Sequence, residues 1–197
     1  MNWRITYLAT IACLFNGLLC WGQAEPSEDV SLISLPNAYG QIIDPGANAE
    51  QGLVLVFTNH NCLYSQLYLE RLNALYEEFS SFGIPLIAIE TKIDSFESSI
   101  VSLANYLAKV RLSFPYLIDL DNELAKALGA ESSPHAFLLK KSNEGFQLVY
   151  EGSIDNNSRN PIRATRNYLK DAVNQLVTGE EIAYPTSKSI GCDISRN

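Results

Sequence analysis

Cys62 is the residue whose position most favours chemistry. It follows Phe57-Thr-Asn-His-Asn61, after an apolar run of strand length and directly before a helical pattern. Unpaired N–H groups and the positive end of the dipole at a helix start favour a thiolate over a thiol, which lowers a cysteine pKa and raises its reactivity. A cysteine in the same place also serves as a small buried hydrophobe, and the residues leave both roles open. His60, two positions earlier, could tune a thiolate when protonated or stand as a solvated loop histidine. Pro134 lies in Ser132-Ser-Pro-His135, just ahead of another apolar strand. It reads either as a cis proline at a tight strand entry, leaving the Ser133 backbone to face a neighbouring loop, or as a trans proline opening an edge strand.

Other chemistries find no support. His60 and His135 are the only histidines, and with distant cysteines they form no paired C-x-x-C or H-x-x-x-H spacing, so no metal site is expected. No nucleophile elbow, P-loop or dinucleotide fingerprint occurs, and no cofactor is expected. A net charge of -8 gives no basic footprint for phosphate backbones, which argues against nucleic acid as a partner.

The first residues carry a single positive charge at Arg4, an apolar run over residues 5–19, and small residues at Gly22 and Ala24. That pattern predicts a signal peptide over 1–24 and an exported chain, periplasmic or extracellular. An uncleaved segment would be the only membrane contact, since the run falls just short of the roughly 20 apolar residues of a spanning helix. Export removes Cys13 and Cys20 and leaves Cys62 and Cys192. In an oxidising compartment that pair could be a structural disulfide, a redox-cycling one, or two separate thiols.

The elements that must position these residues follow from periodicity. A mobile acidic linker is expected over 25–30, one domain over 31–186, and a polar tail carrying Cys192 over 187–197. Short extended segments on either side of Pro36-Asn-Ala-Tyr-Gly40 predict an N-terminal hairpin. The run Leu53-Val-Leu-Val-Phe57 predicts a buried central strand. Apolar spacings of three and four predict a helix over 63–79, with Leu67, Leu72, Leu75 and Phe79 on its stripe. Strands over 84–89 and 114–118, helices over 96–112 and 123–128, and a hairpin over 136–150 follow. A last helix is expected to start at Pro161 and run on to residue 177. The order predicts an α/β fold with a mixed central sheet and helices on both faces.

These residues resemble the thioredoxin-like superfamily, and within it the redoxin branch related to alkyl hydroperoxide reductase and thiol-specific antioxidant proteins. The similarity covers most of the chain after residue 24. Where one subgroup has F-T-C-N-H-C-P-Y, this sequence has Phe57-Thr-Asn-His-Asn-Cys-Leu-Tyr64. Asn59 stands at the first cysteine, Cys62 matches the second, and Leu63 replaces the proline. Phe114-Pro-Tyr-Leu117, Ser133-Pro-His-Ala-Phe137, Gly152-Ser-Ile-Asp-Asn156 and Gly191-Cys-Asp-Ile194 are similar to further elements of that subgroup, in the same order.

The resemblance implies a three-layer thioredoxin-like fold, a cis Pro134 beside the active-site loop, and a partner surface shaped by Ser133 and Pro134 with Asn59 and His60. It implies an oxidoreductase or antioxidant protein using Cys62, with a thiol or disulfide protein, or a peroxide, as partner. The two cysteines left after export make Cys192 the candidate resolving residue, with Cys62 acting alone as the other redox reading. Asn59 removes the usual attacking thiol. The P-x-x-x-[ST]-x-x-C setting of a peroxidatic cysteine is missing too, because Thr58 lies four residues before Cys62 rather than three. A redox-inactive binding module of the same fold is the alternative.

Overall fold

In the computed structural model, which describes residues 29–91 and 96–194, alternation along one strand divides the core in two. Val54 and Val56 of β4 (Gly52–Thr58) enter one apolar cluster, and Leu53, Leu55 and Phe57 enter another on the opposite face. Every residue of β4 is buried, as a strand covered on both faces requires. Around it stand β1 (Asp29–Val30), β5 (Leu86–Glu90), β6 (Tyr116–Ile118), β8 (His135–Lys141) and β9 (Phe146–Gly152) in the order β1-β9-β8-β4-β5-β6. β4, β5 and β6 run parallel, while β8, β9 and β1 extend the sheet antiparallel.

The first cluster is covered by α1 (Leu63–Ser80), α2 (Phe96–Leu107) and α4 (Tyr168–Thr178), through Leu72, Phe79, Leu103, Leu169 and Val173. The second lies under α3 (Glu123–Leu128), through Leu124 and Leu128. It also holds Leu35 of the N-terminal hairpin, β2 (Leu35–Pro36) with β3 (Ile42–Ile43). The mixed sheet with helices on both faces and the hairpin agree with the fold class expected from the sequence. Two further two-residue strands, β7 (Ser132–Ser133) and β10 (Cys192–Asp193), pair with each other.

Several elements differ from expectation, each for a local reason. The signal peptide expected over 1–24 and linker residues 25–28 lie outside the described residues. Asp29 and Val30, expected in the mobile linker, instead form an edge strand on Gln147 and Phe146. α2 stops at Leu107 rather than 112, because the Asn73 amide takes the Arg111 carbonyl and the Ser113 N–H. Pro161 opens a separate 3-10 turn (Pro161–Arg163) in place of the long helix. The Asn156 side chain accepts from the N–H groups of Thr165 and Arg166, which holds the chain extended until α4 begins at Tyr168. Leu67, placed on the buried stripe of α1, is 41% exposed.

His135 starts β8 opposite Phe57 and is buried against Phe137, with ring centroids 4.5 Å apart. Its Nδ1 accepts from the Glu131 N–H at 3.3 Å, so the proton sits on Nε2. Burial lowers its pKa to about 4. The unfolded chain therefore binds this proton from about pH 6.5 downward while the folded one refuses it until about pH 4. Folding free energy is expected to fall across that window by up to about 3 kcal/mol. Urea denaturation at pH 7 and pH 4.5 checks this: the His135→Gln variant, which keeps an acceptor and does not titrate, should lose less stability over the same interval.

Candidate active site

The strand β4 ends at Thr58 and the chain turns through residues 59–61 before α1, so Cys62 becomes the residue capping an 18-residue helix. Asn59 shapes that turn. Its Oδ1 accepts from the Asn61 N–H at 2.9 Å, its carbonyl accepts from the Cys62 N–H at 2.9 Å, and its Nδ2 donates to the Thr91 carbonyl at 2.8 Å. A short amide side chain that bonds its own backbone two residues on is a standard turn former.

Beneath the turn, His60 is buried, 6% exposed, which overturns the solvated-loop reading and removes it from the partner surface. Its backbone N–H donates to the Glu90 carboxylate, Nδ1 donates to Glu90 Oε1 at 2.9 Å, and Nε2 meets Ser102 Oγ at 3.0 Å. Glu90, at the end of β5 beside Thr58, also accepts from the Tyr116 hydroxyl. Burial first, and then the Glu90 charge, hold that hydroxyl well above the ordinary tyrosine range, which keeps it a donor. Three donors thus converge on a carboxylate that is 1% exposed, the kind of full satisfaction a buried charge needs.

Cys62 is bonded to Cys192. The S–S distance is 2.00 Å and the Cα atoms are 6.0 Å apart across 130 residues of sequence, inside the usual geometric range for a bridge. Cys62 is 3% exposed, whereas Cys192 is partly exposed. The Ser133–Pro134 peptide is cis, as the resemblance implied, and the Ser133 carbonyl oxygen lies 3.1 Å from Cys62 Sγ. With its sulfur bridged, Cys62 has no proton to donate there; the two atoms are in contact. Ser133 Oγ shares a 2.6 Å hydrogen bond with Ser65 Oγ on the first turn of α1.

The tail fills the edge beside this proline. Cys192 pairs with Ser133 and Asp193 with Ser132, the Ile194 N–H donates to the Glu131 carbonyl at 3.0 Å, and Ile194 is buried in the second cluster. Ser133 is fully buried as a result, so the surface expected from Ser133 and Pro134 is occupied by the protein's own chain in the bridged state. Only glycine fits before Cys192: a Cβ on Gly191 would lie 2.1 Å from the Ser133 oxygen. A little upstream, Ser187 Oγ accepts from the Ser153 N–H and bonds the Tyr150 hydroxyl, and a Cβ on Gly152 would meet it at 2.2 Å.

Sequence reasoning reached Cys62, Cys192, Asn59, Ser133 and Pro134, and the structure gathers them at one end of the sheet. Glu90 and Tyr116 were missed. The available signal was a lone carboxylate ending an apolar strand run, at the carboxyl end of a parallel strand where sites of α/β sheets collect. Asp155, inside the Gly152-Ser-Ile-Asp-Asn156 element, is buried and accepts from the Tyr68 hydroxyl at 2.9 Å and from Arg71, which tie the following loop to α1. Among the described residues no cluster of His, Cys, Asp or Glu could hold a metal ion.

A mixed sheet between helical layers, with a cis proline set against a cysteine that starts the first long helix, defines a thioredoxin-like protein. The chain belongs to the AhpC/TSA family, whose model matches residues 26–146. Among solved structures, a hypothetical protein of Sinorhizobium meliloti 1021 is 24% identical, with a TM-score of 0.74 over 89% of this chain and 96% of its own. An uncharacterized conserved protein of Geobacillus kaustophilus is 21% identical, with a TM-score of 0.72 over 89% of this chain and 94% of its own. The exposed lipoprotein thioredoxin Etrx1 of Streptococcus pneumoniae is 16% identical, with a TM-score of 0.56 over 76% and 99%. At these identities the likeness is one of fold. No curated protein sequence matches the chain.

Proposed function

We propose that this redoxin is an exported thiol–disulfide oxidoreductase that cycles Cys62 and Cys192 between disulfide and dithiol. The observation that carries the reading is the Cys62–Cys192 bond itself, formed at a helix N-terminus against the cis Pro134 loop. A cysteine there is a good leaving group because the helix start stabilises the thiolate that departs. Asn59, in this reading, stands where related sites carry their first cysteine, and the tail supplies the second thiol instead.

A protein partner fits better than a peroxide. Leu63 and Leu67, one turn apart at the start of α1, are 66% and 41% exposed, and Ile190, two residues before Cys192, is 61% exposed. Apolar surface beside a reactive bond suits a macromolecular partner. A peroxide remains the alternative oxidant of the dithiol, without the threonine spacing of an efficient peroxidatic site. Export is supported by the predicted signal over 1–24, and no helix among the described residues is long and apolar enough to cross a membrane.

Redox titration of the folded protein, with thiols counted by alkylation and mass spectrometry, tests the reading. A two-electron midpoint above about -300 mV is expected, since bonds poised lower resist the thiol pools and serve structure. A bond that stays closed well below that value would leave the fold as a disulfide-stapled binding module.

A further inference from the structure

We propose that Cys192, rather than Cys62, is the sulfur that exchanges with the partner, so that the tail acts as the attacking arm and Cys62 as the buried resolving thiol. The assignment rests on the cycling reading above and reverses the roles the sequence suggested. Three observations carry it, and each concerns a different part of the site.

The first is access. Cys62 is 3% exposed and its sulfur is in contact with the Ser133 carbonyl oxygen at 3.1 Å. An incoming thiolate aimed at that atom would meet a closed site and the negative end of a carbonyl dipole. Cys192 is partly exposed on a two-residue strand whose only strand partner among the described residues is β7.

The second is the direction in which the bond breaks. Thiol–disulfide exchange is faster when the departing sulfur is the better-stabilised thiolate. Cys62 caps an 18-residue helix and has no competing side-chain cap, whereas Cys192 lies on a short strand in an irregular tail. Breaking toward Cys62 leaves the charge at the helix start.

The third is tethering. Ile194 is buried and hydrogen-bonded to Glu131, and Ser189 Oγ accepts from Ser132 Oγ at 2.7 Å. These anchors flank Cys192 on both sides, so once the bond opens the cysteine stays within reach of Cys62, and rejoining is intramolecular.

The balanced steps are these. A thiolate of a partner dithiol attacks Cys192 Sγ; a bond forms between the two sulfurs, the Cys62–Cys192 bond breaks, and its electron pair departs on Cys62 as a thiolate. The partner's second thiolate then attacks its own bonded sulfur and expels the Cys192 thiolate. The partner is oxidised by two electrons to its disulfide and this protein is reduced to the dithiol, with the two partner protons passing to solvent or to the released thiolates. In reverse, the Cys192 thiolate opens a partner disulfide and Cys62 closes on Cys192 to release it.

Reduced glutathione serves as a one-thiol probe on the oxidised full chain, since it can carry out the first step and lacks the tethered second thiol. After brief exposure and rapid quenching with an alkylating reagent, peptide mapping locates each modification. Glutathione is expected on Cys192 and the alkyl group on Cys62, in at least tenfold excess over the opposite arrangement. Equal or reversed proportions would overturn the assignment while leaving the cycling reading intact. A bond that stays closed in the folded protein, even under dithiothreitol, would instead overturn the cycling reading and this assignment with it.

Discussion

Replacing either Cys62 or Cys192 by serine is expected to lower the folding free energy of the oxidised protein by up to about 5 kcal/mol. The bridge spans 130 residues, and the conformational freedom that a cross-link removes from the unfolded chain grows with the logarithm of loop length, which puts this one at the upper end of the usual range. Both substitutions open the same loop, so their losses should match each other and match reduced wild-type protein. On the folded side the tail keeps its two strand pairings and the buried Ile194, so it is held less firmly without being released. Urea denaturation of the four samples measures the effect. Losses under about 1 kcal/mol would mean that the unfolded chain is already confined by residual structure. The same two variants should lose disulfide exchange by about a hundredfold or more, because Cys192→Ser lacks the attacking thiol and Cys62→Ser the resolving one.

The second large effect concerns a group that touches no sulfur. Glu90→Ala is expected to destabilise the protein by about 3–5 kcal/mol, the usual consequence of removing one member of a buried charged cluster. The methyl group cannot accept from the His60 N–H, His60 Nδ1 or the Tyr116 hydroxyl, and all three donors stay buried. Glu90→Gln keeps the shape and part of the acceptor capacity and should cost less than half as much. Denaturant midpoints check the order, wild type above Gln above Ala. Because His60 is the middle of the turn that delivers Cys62, the alanine variant should also react faster with alkylating reagents once reduced.

How far the sequence reached can be read from particular residues. Leu53-Val-Leu-Val-Phe57 is unambiguous because a strand buried on both faces needs an unbroken apolar run, and the helix after it follows from period alone. Cys62 was legible as a candidate for the same reason, standing between two well-marked elements. The cis state of Pro134 was open on local chemistry and became an expectation only through resemblance. The tail was the harder part. Residues 179–191 have no apolar period, and what anchors them is a set of single contacts, Ser187 to Tyr150, Ser189 to Ser132 and Gly191 against Ser133, none of which leaves a pattern along the chain. Glu90 was hidden for a related reason: a carboxylate at a strand end reads as solvated until its three donors, drawn from elements 26 and 30 residues away, are brought around it.

The length of the loop closed by Cys62 and Cys192 has a topological consequence. In the oxidised protein the chain from Cys62 to Cys192 forms one covalent macrocycle. The segment before Cys62, with the N-terminal hairpin and central strand β4, and the residues after Cys192 hang from it as two branches at the bridge. A backbone break anywhere inside that circle, for instance in the Ser142–Gly145 turn, leaves one connected molecule, whereas the same break in the dithiol yields two. Redox state therefore sets how many pieces a nicked chain can separate into: one while the Cys62–Cys192 bond is closed, two once it is open.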